Sequence, residues 1–232
     1  MTTILLGMGL LLLTLAAFSL FSMKAPMGSK AMSGLANAAV ATFLVEAVHR
    51  YISGDLLGLA FIGEVGATAG SMGGVAAAIL VPIGMGANPI FAVVAGVAVG
   101  GYGILPGFIV GYLVGFLAPV IEKYLPDGLD VIVGALLLAP LSRGVAFLVD
   151  PVVTAGMGYI GQTIIAATEQ SPALMGFLLG GIIKMICTSP LSSMALTAML
   201  NLTGLPMGIA AIACFGGSFT NGFIFARLHL GN

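Results

Sequence analysis

Charged side chains are too scarce in this chain for it to fold as a soluble protein. Only seven basic and eight acidic residues occur among its 232 residues, and its mean hydropathy is +1.19. A soluble domain keeps roughly a quarter of its residues as Asp, Glu, Lys and Arg, because these side chains cover its water-facing surface. The composition therefore predicts an all-α, polytopic integral membrane protein. We expect a multi-pass protein of the inner (plasma) membrane of a cell, with the lipid bilayer as its main surroundings.

Apolar runs that could cross about 30 Å of hydrocarbon recur along the whole chain. About eight have membrane length or nearly so, and at least two of these are too short or too rich in glycine to span the membrane cleanly. The apolar segments cover residues 3–23, 31–51, 55–87, 88–103, 106–124, 129–148, 151–169, 172–187, 191–202 and 206–226. We expect one transmembrane domain over residues 1–232.

Glycine, which occurs 35 times, indicates how these helices meet. No hydrophobic force drives one apolar helix onto another in lipid, so small residues that permit close backbone contact supply the packing. In the segment 106–124, Gly107, Gly111 and Gly115 repeat every four residues and share one helix face. This stripe favours close packing within one subunit, and a subunit interface is the alternative.

Ionisable groups at membrane depth are functional candidates, because they are costly unless they are paired or hydrated. Glu64 lies between Gly63 and Gly66, in a segment that also holds Thr68 and Ser71. Glycine leaves backbone groups accessible and lets a ligand approach closely. A carboxylate at this position could accept hydrogen bonds from a polyol, bind a cation or take up a proton. The alternative is that Glu64 lies in a loop that faces water.

Other polar residues within apolar segments have structural explanations as well. Asn88 precedes Pro89 and is predicted to cap a helix N-terminus, although such a terminus inside the membrane would also offer donors to a hydroxyl or an anion. Arg143 and Asp150 are seven residues apart, therefore on one helix face, and could form a structural ion pair. Lys184 could extend its amine to the membrane interface. The segment 31–51 ends in a polar cluster of Glu46, His49 and Arg50.

The most specific motif is the Ser/Thr/Pro-rich stretch 187–193, which lies between two short apolar runs. It predicts a re-entrant hairpin whose tip meets the segment 63–74, because non-helical backbone at membrane depth must be buried in protein or line a polar cavity. An ordinary turn at the interface is the alternative. The hydroxyls suit a polyhydroxylated or weakly ionic solute. The candidate solute-binding residues are Glu64, Thr68, Ser71, Asn88, Thr188, Ser189, Ser192, Ser193 and Asn221.

Other functional classes receive little support from the sequence. A net charge of −1 argues against nucleic acid as a partner. Cys187 and Cys214 have no paired spacing, which argues against a disulfide or metal framework. We expect no catalytic residues, no metal and no cofactor in this chain.

Residues 188–196, followed by 202–214, resemble the membrane-embedded IIC components of the bacterial phosphotransferase system, in particular the branch grouped with the perfringolysin regulatory protein. Residues 70–80 and 107–115 are similar in character to the fructose-type components. The resemblance implies a homodimeric carrier in which a transport domain with hairpin tips moves, elevator-like, against a dimer scaffold. A sugar or a related polyol or acid would be released to a IIB phosphoryl donor on a separate polypeptide.

Within that resemblance, this chain is at most the permease part of a phosphotransferase complex, and Glu64 is the expected hydrogen-bond acceptor for a solute hydroxyl. A different class of function is a membrane regulatory or sensor protein that binds a small ligand without moving it. An ion-coupled secondary transporter and a small channel, neither with phosphotransfer, are further alternatives.

Overall fold

The computed structural model describes residues 2–126, 128–186 and 193–228, and every regular element within these ranges is helical. The predicted all-α class is therefore confirmed. Helix α2 (Gly28–Ala39) continues through two π-helical segments, Val40–Leu44 and Ala47–Leu56. The α-helices are α1 (Thr2–Lys24), α2 (Gly28–Ala39), α3 (Ala60–Ser71), α4 (Gly73–Met85), α5 (Pro89–Ala98), α6 (Ile104–Tyr124), α7 (Leu129–Gln170), α8 (Pro172–Ile186), α9 (Ser193–Met199) and α10 (Gly204–Leu228).

Five helices in the described ranges are long and apolar enough to cross a membrane. They are Ile4–Lys24, Gly28–Leu56, Ile104–Tyr124, Leu129–Gln170 and Gly204–Leu228. A sixth span is possible if α3 and α4, which are bent by 57° at their junction, count as one. The predicted break of the segment 55–87 is confirmed, whereas the number of about eight spans is not.

The predicted boundary between the segments 129–148 and 151–169 is wrong. Helix α7 runs without interruption through Pro140 and Pro151. Each proline removes one backbone donor and crowds the preceding turn, which disfavours a helix in water. Neighbouring helices and local adjustment satisfy the freed groups in membrane helices, so proline is a weaker stop signal there.

The chain divides into a larger compact unit, Phe21–Gly156, and a smaller one, Met1–Leu20 with Met157–Asn232. The single transmembrane domain expected over residues 1–232 stays a prediction. Each unit has its own buried side chains. The fully buried ones in the larger unit include Leu35, Val81, Phe91, Val99, Val110 and Leu138, and those in the smaller unit include Leu11, Ile164, Met175, Leu179, Ile183 and Leu200.

Glycine holds the larger unit together where α4 and α6 meet. A Cβ added at Gly107 would collide with the backbone of Gly74, and one added at Gly115 would meet the side chain of Met85. A Cβ at Gly111 would lie 2.9 Å from the carbonyl oxygen of Ala77. The stripe on α6 therefore serves close packing within one unit, as the sequence favours.

Candidate functional site

Helix α3 packs through a glycine face against the π-helical segment Ala47–Leu56. A Cβ added at Gly66 would collide with the backbone nitrogen of Arg50, and one added at Gly70 would collide with the carboxylate of Glu46. Gly66 meets Arg50 whereas Gly70 meets Glu46, so residue numbers decrease along the π-helical region as they increase along α3. The two elements therefore run antiparallel. Only glycine allows this approach, because any side chain on this face of α3 would separate the two backbones.

The π-helical region carries an ionic cluster against that glycine face. Arg50 Nη1 donates a hydrogen bond of 2.8 Å to Glu46 Oε1, one helical turn away, and the two side chains form an ion pair. His49 Nδ1 is buried and has no hydrogen-bond partner among the described residues. Turns of π-helix occur frequently at functional sites. The cluster thus combines the ion pair of Glu46 and Arg50 with an imidazole nitrogen of His49 that can still take part in a hydrogen bond.

None of these three residues is among the candidate site residues named from the sequence. An available signal was the occurrence of three ionisable residues within five positions of an apolar segment. The sequence did not show that glycines on the next helix would pack against them.

Away from the glycine face, α3 carries an uncovered polar stripe beside exposed apolar side chains such as Phe61 and Met72. Glu64, Thr68 and Ser71 follow one another at helical spacing, and all three are exposed. The Ser71 hydroxyl donates to the carbonyl oxygen of Thr68 at 2.7 Å. Glu64 has no ion-pair partner in the described part of the chain. Three of the predicted solute-binding residues therefore share one exposed stripe of the larger unit.

Asn88 is the N-cap of α5, as predicted. Its Oδ1 accepts a hydrogen bond of 3.0 Å from the backbone N–H of Ile90, and Pro89 occupies the first helical position. This bond satisfies one of the donors that every helix N-terminus leaves free. The capping role is therefore established, while a contact with solute stays a prediction.

Arg143 and Asp150 do not form the predicted ion pair. Arg143 Nη1 donates to the carbonyl oxygens of Gly100 at 2.7 Å and Ala98 at 3.3 Å, and its guanidinium lies 4.4 Å from the ring centre of Tyr102. Asp150 accepts a hydrogen bond of 3.0 Å from Thr154. Residues seven apart share a helix face, but they are about 10 Å apart along the axis. The arginine instead caps the carbonyl end of α5.

In the smaller unit, a groove between α8 and α10 contains Lys184. The groove has a volume of about 520 Å³, and glycine and apolar side chains form most of its lining. Lys184 Nζ donates to the carbonyl oxygen of Gly217 at 2.8 Å and to Oδ1 of Asn221 at 2.7 Å. A Cβ at Gly217 would collide with the Lys184 side chain, so the glycine provides the notch that the lysine fills. Asn221, a predicted solute-binding residue, is thus a partner of this lysine.

The hairpin residues Thr188, Ser189 and Ser192 lie outside the described residues, so their predicted role stays a prediction. Ser193 is the first residue of α9, and its hydroxyl oxygen is 3.4 Å from Cys214 Sγ on α10, which donates to it. Within the described ranges, no three His, Cys, Asp or Glu residues come together as a metal site would require.

A family model described as phosphotransferase system, EIIC, matches residues 29–232. The matched region covers most of the chain, including α3, the π-helical segments and the groove between α8 and α10. No curated protein and no solved structure matches the chain significantly.

Proposed function

The chain belongs to the phosphotransferase system EIIC family, and from this premise we propose that it carries a sugar, or a related polyol or acid, across the bacterial inner membrane. The family implies a transported solute and work alongside other components of the phosphotransferase system. We further propose a homodimer that hands its solute to a separate IIB phosphoryl donor. In this arrangement the chain binds and moves the solute, and the phosphoryl chemistry takes place on its partner.

The exposed polar stripe of α3 supports this function more than any other feature. Glu64, Thr68 and Ser71 belong to a helix pair that is apolar enough to be a broken membrane span. Polar groups that face hydrocarbon without partners are costly, so the stripe is best accommodated beside a water-filled cavity. A carboxylate and two hydroxyls offer the acceptors and donors that a polyol requires. We assign the first contact with a solute hydroxyl to Glu64.

An elevator-like movement of a transport domain against a dimer scaffold is the proposed mechanism. The 57° bend between α3 and α4 supports it, since a broken span or a re-entrant element is a common way to build a solute site within a membrane. The division into two compact units supports it as well, because such a movement needs separate bodies.

Uptake by proteoliposomes containing the full chain tests the proposal. Wild-type protein should take up at least one labelled solute from a panel of sugars, polyols and sugar acids. The substitution Glu64→Gln should weaken the affinity for that solute by about ten- to a hundredfold, because a hydrogen bond to a charged acceptor is lost. Glu122→Gln provides the matched control, since Glu122 is also an exposed carboxylate of the larger unit and lies near the C-terminal end of α6, outside the polar stripe. Equal losses in both variants would remove the assignment of Glu64.

Binding without uptake would contradict the permease function and favour a sensor of the regulatory branch instead. Rapid flux that does not saturate with solute concentration would favour a channel. Saturable uptake that is unaffected by a phosphorylated IIB protein but follows an ion gradient would favour a secondary transporter.

A further inference from the structure

We propose that Lys184, held in place by Asn221, binds an anion in the groove between α8 and α10, and that this anion is a monocarboxylate solute such as a sugar acid. This inference rests on the proposed function, because it names the chemical class of the transported solute. It assigns to Lys184 a role different from extending its amine to the membrane interface.

The position of the lysine amine along α10 is the first argument. Its nitrogen contacts Gly217 and Asn221, 2.8 and 2.7 Å from their oxygen atoms. At 1.5 Å per residue, Gly217 lies about 20 Å from the first residue of α10 and about 16 Å from the last. Since α10 is long and apolar enough to span a membrane of about 30 Å, a spanning α10 would place the amine well inside the hydrocarbon. Charged groups at such depth are rare and usually functional.

The second argument is the missing counter-charge. The charged side chains of the smaller unit in the described ranges are Glu169, Lys184 and Arg227. Among the described residues, Glu46 and Arg50 form the one ion pair. Lys184 therefore has no carboxylate partner in the described part of the chain. Both atoms that accept from its amine are uncharged oxygens. An ammonium has three donors, which leaves one donor and the full positive charge for a ligand.

The groove has the size and the lining that an organic anion needs. Its volume of about 520 Å³ falls within the usual range for small-molecule sites. Ile209, Ile212 and Phe177 contribute apolar walls, and low-dielectric surroundings strengthen the attraction between an ammonium and an anion. A Cβ added at Gly176 or Gly181 would meet no atom within 4 Å, so this part of the lining is open to a ligand.

The balance of charge selects a monoanion. One carboxylate neutralises one ammonium, whereas a phosphate dianion would leave a negative charge without a partner between apolar walls. A neutral polyol would leave the lysine charge uncompensated. We therefore expect a preference for the acid over both its neutral counterpart and its phosphorylated counterpart.

The test measures binding to the purified full chain in mild detergent, through the rise in unfolding temperature with ligand concentration. The probes are D-glucuronate with D-glucose, D-gluconate with D-sorbitol, and D-glucose 6-phosphate. At least one acid should bind about tenfold or more tightly than its neutral partner. Equal affinity within both pairs would overturn the proposal, and tighter binding of glucose 6-phosphate than of either acid would overturn the choice of a monoanion.

The decisive variant is Asn221→Asp, which gives Lys184 an internal carboxylate with the same shape as the native amide. The fold should be retained, because a hydrogen bond between two ionised groups replaces one from the same ammonium to a neutral oxygen, while the advantage of the acid over its neutral partner should disappear. Lys184→Met should remove the same advantage. Asn201→Asp, in the exposed turn after α9, adds the same charge outside the groove and serves as the control. If the acid still binds more tightly than its neutral partner in both Asn221→Asp and Lys184→Met, Lys184 only joins α8 to α10 and does not bind the anion.

This result can be separated from a failure of the proposed function. If proteoliposomes take up neutral sugars and neither acid is preferred, the permease proposal stands and the anion site falls. If no solute is taken up although an acid binds through Lys184, the anion site stands and the permease proposal falls.

Discussion

Two regions of the molecule, the contact between α4 and α6 and the exposed faces of α8 and α10, use glycine in different ways. In the larger unit, helices α4 and α6 approach so closely that a Cβ at Gly74 or Gly107 would collide with backbone atoms of the facing segment. In the smaller unit, a Cβ at Gly176, Gly181 or Gly208 would meet no atom within 4 Å. The same residue type thus closes the contact between α4 and α6 and leaves the faces of α8 and α10 open at these three positions. Counting glycines in a membrane sequence does not distinguish these two uses.

The ionic groups of the two units differ in a parallel way. Both Glu46 and Lys184 fill a notch that a glycine provides, at Gly70 and Gly217 respectively. Glu46 is neutralised by Arg50 on its own helix, whereas Lys184 contacts uncharged oxygens. We infer that the first arrangement is complete in itself and that the second is completed by a ligand.

The largest expected effect concerns the glycine contacts. Gly107→Ala should lower the free energy of unfolding by about 3 kcal/mol or fail to fold, because its Cβ would overlap the backbone of Gly74. Gly208→Ala should change it by less than about 1 kcal/mol, since the added methyl group meets open space. Denaturant unfolding of both variants in mild detergent measures the difference. Similar destabilisation by the two substitutions would erase the contrast between these two regions.

A smaller effect is expected at the ion pair of the larger unit. Glu46→Gln should lower the unfolding temperature, by less than Gly107→Ala does, because it leaves Arg50 without its partner on a membrane helix. The double substitution Glu46→Gln with Arg50→Gln should recover part of the loss, and a double-mutant cycle measures this coupling. If the losses of stability in the two single variants simply add in the double variant, Glu46 and Arg50 do not stabilise each other.

The smallest expected effect is at the cap of α5. Asn88→Ala should cost about 1 kcal/mol of unfolding free energy, since the N–H of Ile90 loses its acceptor. Asn88→Ser should restore most of that stability, because serine also caps helices well. If Asn88 serves only as a cap, Asn88→Ser will also leave solute affinity in the proteoliposome assay unchanged. Restored stability with weakened affinity would show instead that the amide contacts solute.

The sequence was sufficient for properties that depend on local composition. The low content of charged residues was sufficient to predict the membrane class. The dipeptide of Asn88 and Pro89 was sufficient to predict the helix cap, because a cap depends on neighbouring residues alone. The predicted ion pair of Arg143 with Asp150 was wrong. A shared helix face does not reveal that carbonyl oxygens at the end of α5 accept hydrogen bonds from the arginine instead. The boundary predicted before Pro151 was wrong, because packing against neighbouring helices and local adjustment make proline a weaker stop signal in membrane helices.

The candidate site was predicted only in part, for a similar reason. The stripe of Glu64, Thr68 and Ser71 could be named because all three belong to one short segment. Lys184 and Asn221 are 37 residues apart, so their hydrogen bond depends on how α8 packs along α10. The spacing of residues within either helix contains no information on that register.

The π-helical segments of the chain have a consequence for insertions and deletions. A π-helical turn closes its hydrogen bond one residue later than an α-helical turn does, so it accommodates an extra residue without breaking the helix. Removing one residue from Val40–Leu44 would therefore allow α-helical geometry there and leave the direction of the following side chains nearly unchanged. Glu46 would keep its place against Gly70, although the chain would be one residue shorter. A one-residue deletion within the α-helical part of α2 would instead rotate everything that follows by about 100° and move the ionic cluster away from its glycine face.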